Sequence, residues 1–303
     1  MAYRMSDSGI WWICIHCSHV MCQGISMKKL TITLCLIVAV LFSGKTEAAV
    51  GKGGVPVPLN GISSDKESYT AHLTLPRGSG PFPVVVLSHG RGGAKLSHYD
   101  WGKQITEWGF AAIAMDHYIP RGHDRRLPNG VMGGRDSFDA RRDDLISILK
   151  VIKDDKRLDN AKVTLAGWSR GGGFVGHGIW DQEAREEAKL GHPIKSAVLF
   201  YPQSTTFNKN FNERFNLPVI LLTGSEDYIW VTGWKDFLED YKNKNHPLVL
   251  KLYEGQFHNF DVSYFRKKRC RELKWGEHCL LYDKDTHQQS IKDLKAFLTK
   301  YAQ

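Results

Sequence analysis

Cysteine is scarce in this sequence and unevenly placed. Six occur in 303 residues, and four of them, Cys14, Cys17, Cys22 and Cys35, lie near the start. Long apolar runs are scarce too. The run Leu30 to Phe42 falls short of the ~20 residues that a membrane-spanning helix needs. No lipobox precedes Cys35, so no lipid anchor is expected. No internal repeat and no linker interrupts residues 60–303, which points away from a repeat architecture and towards one domain. Nor is the composition extreme. At 42% hydrophobic and 24% charged residues it is that of a globular protein, which excludes wholesale disorder.

What stands at the start reads as a leader. From Met27, Lys28 and Lys29 precede the apolar run, and Thr46 and Ala48 are small residues spaced for cleavage before Ala49. We therefore expect a periplasmic or secreted protein whose working domain is residues 49–303. Residues 1–26 lie ahead of that leader and read as a start assigned too early. The rival reading is a metal site in CIHCSHVMC, but the segment has no second half at finger spacing. Without the leader only Cys270 and Cys279 remain. In an exported protein they suggest one disulfide closing a short loop, the alternative being two free thiols.

The formal charge is +9. Residues 1–48 carry Arg4, Lys28, Lys29 and Lys45 against Asp7 and Glu47, so the remainder keeps +7. The densest basic cluster, Arg266 to Arg269 with Arg271, has no recognition motif beside it. It reads as a solvated face and gives no reason to expect a nucleic-acid partner.

From residue 68 onward, short apolar runs alternate with longer amphipathic ones. Strands are expected at 68–75, 81–90, 109–116, 161–167, 195–201, 217–224 and 247–255. Helices are expected around 98–108, 140–155, from Ser169 to Gly191, 231–243 and 286–301. Residues 117–136 read as a loop, placed to form part of a pocket rim through His117, Arg121, His123 and Arg125. Strands separated by helical segments mean an α/β domain with a mostly parallel sheet covered on both faces.

One stretch carries chemistry. AGWSRGGGF holds G-x-S-x-G through Gly167, Ser169 and Gly171, after the strand AKVTLAG and before a helix. A serine on a tight strand-to-helix turn is lifted above the sheet edge, next to the positive end of the helix. Such a nucleophile elbow predicts an acid and then a histidine further along the chain. LLTGSEDY offers Asp227, with Glu226 in reserve, and YEGQFHNFD offers His258. For the oxyanion, the backbone N–H of Arg170 is one expected donor. The other is Arg91 in SHGRGG, or its neighbour Gly90, with His89 holding the loop by hydrogen bonds. The Arg91 and Arg170 side chains flank the site, either to bind an anionic acyl group or to face solvent.

These four motifs, in this order over about residues 60–303, resemble those of the dienelactone hydrolase family of α/β-hydrolases. The resemblance implies an α/β-hydrolase fold with a mostly parallel sheet of about eight strands flanked by helices. It implies ester or lactone hydrolysis on a small-molecule substrate, with Ser169 as nucleophile, Asp227 as acid and His258 as base. No metal, organic cofactor or stable membrane anchor is expected. The dienelactone enzymes proper use cysteine where Ser169 stands, which favours serine esterase chemistry. The G-W-S-x-G-G segment is also similar to secreted polyester hydrolases and cutinase-like lipases. A non-catalytic binding protein on the same scaffold is the rival from outside enzymes.

Overall fold

The run PVVVL is apolar at successive positions, which suits a strand covered on both faces. It forms the middle of such a sheet. The computed structural model describes residues 57–62, 68–118, 136–177, 194–202, 217–227, 248–273 and 276–303. Its strands are β1 (Val57–Ile62), β2 (Ser68–Thr74), β3 (Phe82–Ser88), β4 (Ala111–Met115), β5 (Leu158–Trp168), β6 (Ile194–Phe200), β7 (Val219–Gly224), β8 (Leu248–Tyr253), β9 (Arg269–Leu273) and β10 (Gly276–Leu280). The helices are α1 (Leu96–Thr106), α2 (Asp136–Asp154), α3 (Arg170–His177) and α4 (Lys284–Tyr301).

Eight strands make one sheet in the order β1-β2-β4-β3-β5-β6-β7-β8, and β9 and β10 form a separate hairpin. The pairs β1–β2 and β2–β4 are antiparallel, whereas every pairing from β4–β3 through β7–β8 is parallel. This is the α/β-hydrolase fold that the motifs implied. After β3 the chain moves to one side for β4, and then crosses to the other side of β3 for β5. The loops leaving β3 and β5 therefore diverge, and a crevice opens at the carboxyl ends of these two strands.

Side chains on a strand alternate between faces, and the two faces carry two cores. Val84, Val86, Leu165, Leu199 and Leu221 pack on one side with Leu145, Ile148, Leu149 and Ile152 of α2 and Phe174 of α3. Val85, Leu87, Ala166, Val198, Phe200 and Leu222 pack on the other with Trp101 and Ile105 of α1 and Leu294 and Phe297 of α4. The apolar stripe expected of residues 140–155 is thus the buried face of α2. Helix α4 starts where Asp283 accepts a hydrogen bond from the Thr286 N–H at 2.8 Å, an N-cap.

All seven expected strands are present, with ends shifted by up to three residues. Three others were not anticipated. Strand β1 contains Pro58 and Gly61, which hide a strand signal. Strand β9, RCREL, carries charges on both faces, and β10, GEHCL, sets Glu277 beside Cys279 and His278 beside Leu280, so neither shows apolar alternation. Helix α2 begins at Asp136, earlier than expected. The leader, the Cys14–Cys22 cluster, Arg121, His123 and Arg125, the 231–243 helix and the end of the post-Ser169 helix lie outside the described residues. Among those described, no helix is long and apolar enough to cross a membrane.

Cys270 and Cys279 stand opposite each other in the β9–β10 hairpin and form a disulfide. They are nine positions apart, and for so short a loop the chain-entropy relation gives about 3 kcal/mol. Reduction, or the Cys270→Ser/Cys279→Ser pair, is expected to lower the melting temperature by several degrees. Equal melting with and without reductant would contradict this. The basic residues Arg266 to Arg269 and Arg271 are exposed, as expected of a solvated face. Lys268 lies over the Phe257 ring at 4.1 Å and Arg269 over Tyr264 at 5.0 Å.

Candidate active site

Strand β5 ends at Trp168 and α3 begins at Arg170, so Ser169 alone makes the turn. Its φ is +53°, a left-handed conformation that a residue with a Cβ adopts only at a cost. The surrounding structure holds it there. The Ser169 N–H donates to the Phe200 carbonyl at 2.9 Å, and the Ser169 carbonyl accepts from the Gly173 N–H at 2.8 Å. The flanking glycines are required by close approach. A Cβ on Gly167 would overlap the Gly171 carbonyl, and one on Gly171 would overlap the carbonyl of Ser88. Any side chain at either position would push α3 away from the strand ends. At the start of α3 the Arg170 N–H faces no helical carbonyl, as in any first turn.

The loop after β3 passes directly against the serine. A Cβ on Gly90 would lie 3.2 Å from the Ser169 Cβ. His89 is fully buried and fixes this loop. Its Nδ1 donates to the Gly90 carbonyl at 2.6 Å, and its Nε2 accepts the His117 N–H at 3.0 Å. Burial, with Arg141 and His117 nearby, holds its pKa well below the usual histidine value. His89 therefore holds the loop by hydrogen bonds, as expected from sequence. The Gly90 carbonyl also accepts from the Gly93 N–H at 3.3 Å. Because a trans peptide points its C=O and N–H in opposite directions, the Arg91 N–H is turned away from His89.

Beneath this loop lies a polar network that the sequence reading missed. Arg141 of α2, fully buried, donates through Nη1 to Ser88 Oγ at 2.9 Å and to the His89 carbonyl at 2.8 Å. Ser88 Oγ pairs with His117 Nε2 at 3.0 Å, and His117 Nδ1 pairs with Asp144 at 2.6 Å. His117 was expected on a pocket rim. It is instead wholly buried, because Ser88, Asp144 and the ring of His89 surround it. Arg141 had no distinguishing signal, since R-R-D-D opening a helix reads as a solvated turn.

The acid and base come from the far half of the sheet. Strand β7 ends at Gly224, where a Cβ would overlap the Gln256 carbonyl, so the two loops lie in contact. The Glu226 N–H donates to Gln256 O at 2.9 Å, which leaves Glu226 exposed and turns Asp227 inward. Asp227 Oδ2 lies 2.6 Å from His258 Nδ1, with both residues buried. Of the two candidate carboxylates, the structure pairs Asp227 with the histidine. Burial lowers the His258 pKa to about 3 and raises that of Asp227. His278 of the β9–β10 hairpin stands behind the pair, its Nδ1 3.8 Å from Asp227 Oδ1 and its ring 4.8 Å from that of His258. The donor atoms of these three residues lie within 4.8 Å of one another, a set that could hold a metal ion. The short Asp227–His258 hydrogen bond already occupies two of them.

Arg170 is partly buried and lies over the Phe138 ring at 5.5 Å, whereas Arg91 is exposed. Burial and then the Arg91 charge lower the Arg170 pKa, opposed by Tyr118.

The buried histidines make a pH prediction. Burial depresses His89, takes His98 and His278 to about 4, and takes His258 to about 3. As pH falls below about 6.5 the unfolded chain gains protons that the folded one refuses. Stability is therefore lost between that pH and the folded values, by up to ~1.4 kcal/mol per group per pH unit. Asp227, raised by burial, acts in the opposite sense, but it is one group against four. Melting temperature is expected to fall steadily from pH 7 to pH 5. A flat profile would show that these histidines accept protons in place.

Residues 69–302 match the model of the dienelactone hydrolase family. No curated protein sequence matches the chain. Among solved structures, a dienelactone hydrolase from Anabaena variabilis is similar at 15% identity and a TM-score of 0.58, covering 82% of this chain and 99% of that one. A dienelactone hydrolase-like promiscuous phosphotriesterase from metagenomic libraries is similar at 16% identity and 0.63, covering 82% and 100%. An esterase from Pyrobaculum calidifontis is similar at 16% identity and 0.59, covering 91% and 93%. At these identities the structural likeness is one of fold.

Proposed function

The chain belongs to the dienelactone hydrolase family of α/β-hydrolases, and from that premise we propose that it is a serine esterase. On this reading it cleaves carboxylic ester or lactone bonds of small molecules through Ser169, His258 and Asp227. The observation that carries the reading is the buried Asp227–His258 pair at 2.6 Å, at the same carboxyl edge of the sheet as a serine held at φ +53°.

His258, kept neutral by burial, accepts the Ser169 proton through Nε2 as the serine oxygen attacks the ester carbonyl. Asp227 holds the Nδ1–H tautomer and offsets the charge of the imidazolium that forms. The Arg170 and Arg91 N–H groups receive the oxyanion, the first at the start of α3, the second in the peptide whose carbonyl His89 anchors. His258 returns the proton to the leaving alcohol, and an acyl-enzyme remains on Ser169. Water then attacks that acyl group as His258 takes its proton, the bond to Ser169 Oγ breaks, and His258 returns the proton to that oxygen as the acid departs. No step calls on a metal or organic cofactor. The Cys270–Cys279 disulfide and the leader-like Met27–Ala48 segment support export to the periplasm or beyond.

The test is turnover of short-chain p-nitrophenyl esters and simple lactones by purified protein. Saturable release of product is expected. Absence of turnover on every short ester and lactone would contradict the proposal.

A further inference from the structure

Three residues after the base, Asp261 is a carboxylate that the mechanism above does not use, and it is 2% exposed. We propose that Asp261 is a second active-site carboxylate, a positioning residue that ties the nucleophile strand to the base loop and holds negative charge behind His258. This rests on the esterase reading of the same site.

The geometry is specific. Asp261 Oδ2 accepts from the indole N–H of Trp101 at 2.8 Å and from that of Trp168 at 2.9 Å. Its Oδ1 accepts from the Tyr201 hydroxyl at 2.6 Å. Trp168 immediately precedes Ser169, so one oxygen anchors the last strand residue before the nucleophile. Tyr201 follows β6, has a left-handed φ of +33°, and lays its ring 4.4 Å from that of His258. The other oxygen thus fixes the wall against which the imidazole packs. Trp101 brings in α1. One carboxylate joins three elements to the loop that carries the base. A buried carboxylate costs several kcal/mol unless hydrogen bonds satisfy it. An apolar residue would fill the space among three aromatic rings without that cost, so a purely packing role does not account for a charged group here.

A negative charge on this side favours the imidazolium that His258 becomes in the transition state. Among the described residues, Asp227 after β7, Tyr201 after β6, His278 on β10, Arg271 on β9 and Asp261 from its own loop face His258. Asp261 raises the His258 pKa while burial and Arg271 lower it. Asp227 acts at Nδ1 by direct hydrogen bond. Asp261 acts at a distance, and by holding the ring's neighbours.

Asp261→Asn separates charge from shape. The amide oxygen can accept from both indoles, and its NH2 can donate to the Tyr201 hydroxyl, which reverses its role. All three contacts survive while the charge is lost. We expect kcat on a p-nitrophenyl ester to fall roughly ten- to hundred-fold with KM little changed. The acid limb of the kcat/KM profile should move to lower pH. Trp101→Phe, which removes one donor and keeps the charge, should lower melting temperature without moving that limb downward.

Should Asp261→Asn fail to fold, Tyr201→Phe gives an independent reading. It removes a donor that partly offsets the carboxylate and keeps the ring against His258, so the acid limb should move to higher pH. An Asp261→Asn enzyme with wild-type kcat and an unmoved limb would overturn the inference, as would an unmoved limb in Tyr201→Phe. A wild type that turns over no ester would instead fail the esterase reading.

Discussion

Ser169→Ala is expected to reduce ester turnover by roughly 10⁵- to 10⁶-fold, the scale on which loss of a triad nucleophile is felt. The fold should hardly register it. Ser169 is the one residue between β5 and α3, and its N–H and carbonyl, not its side chain, make the hydrogen bonds that shape the turn. Alanine keeps both bonds and inherits the left-handed φ, so melting temperature should stay within a degree or two. Ser169→Gly sharpens the point. Glycine adopts φ +53° without steric cost, so this variant should be equally inactive and more stable by about 1 kcal/mol. Loss of activity together with loss of structure would mean that the serine supports the turn. Retained activity in either variant would move the nucleophile elsewhere.

Asp227→Asn carries the second large effect, a fall in kcat of about 10⁴-fold. Asparagine can either accept from His258 Nδ1 or donate to it. Donation leaves the proton on Nε2, where it blocks abstraction from Ser169. Neither arrangement offsets the imidazolium charge. Stability should move in the other direction. Burial raises the Asp227 pKa, so its ionised form costs folding energy above pH 3.8, and a neutral amide relieves that cost. The expected signature is a nearly inactive enzyme whose melting temperature at pH 7 equals or exceeds that of the wild type. An enzyme that lost both would point to a structural role for the pair, and Glu226, exposed beside it, would need testing as the acid.

Much of this was legible in the sequence because it rests on local patterns. VVVL declares a buried parallel strand by its unbroken apolar run, and VTLA by one interrupted only by Thr164. Gly167 and Gly171 are legible because only glycine fits where a Cβ would meet backbone. Asp227 and His258 are legible by chain order once the elbow is found. What was hidden depends on distant partners. Arg141 looks like a surface charge until α2 is laid beneath the β3 loop. His117 looks like a rim residue until Ser88 and Asp144 enclose it. Asp261 gains meaning only when residues 93 and 160 positions away converge on it. His278 reaches the acid on a hairpin whose charged strands carry no apolar alternation.

The most direct test of the account is the mass and map of the protein after treatment with a fluorophosphonate. One phosphonyl adduct per chain is expected, on the peptide containing Ser169, and none on Ser169→Ala. An unmodified wild type, or an adduct on any other residue, would contradict the assignment of Ser169 as the activated nucleophile.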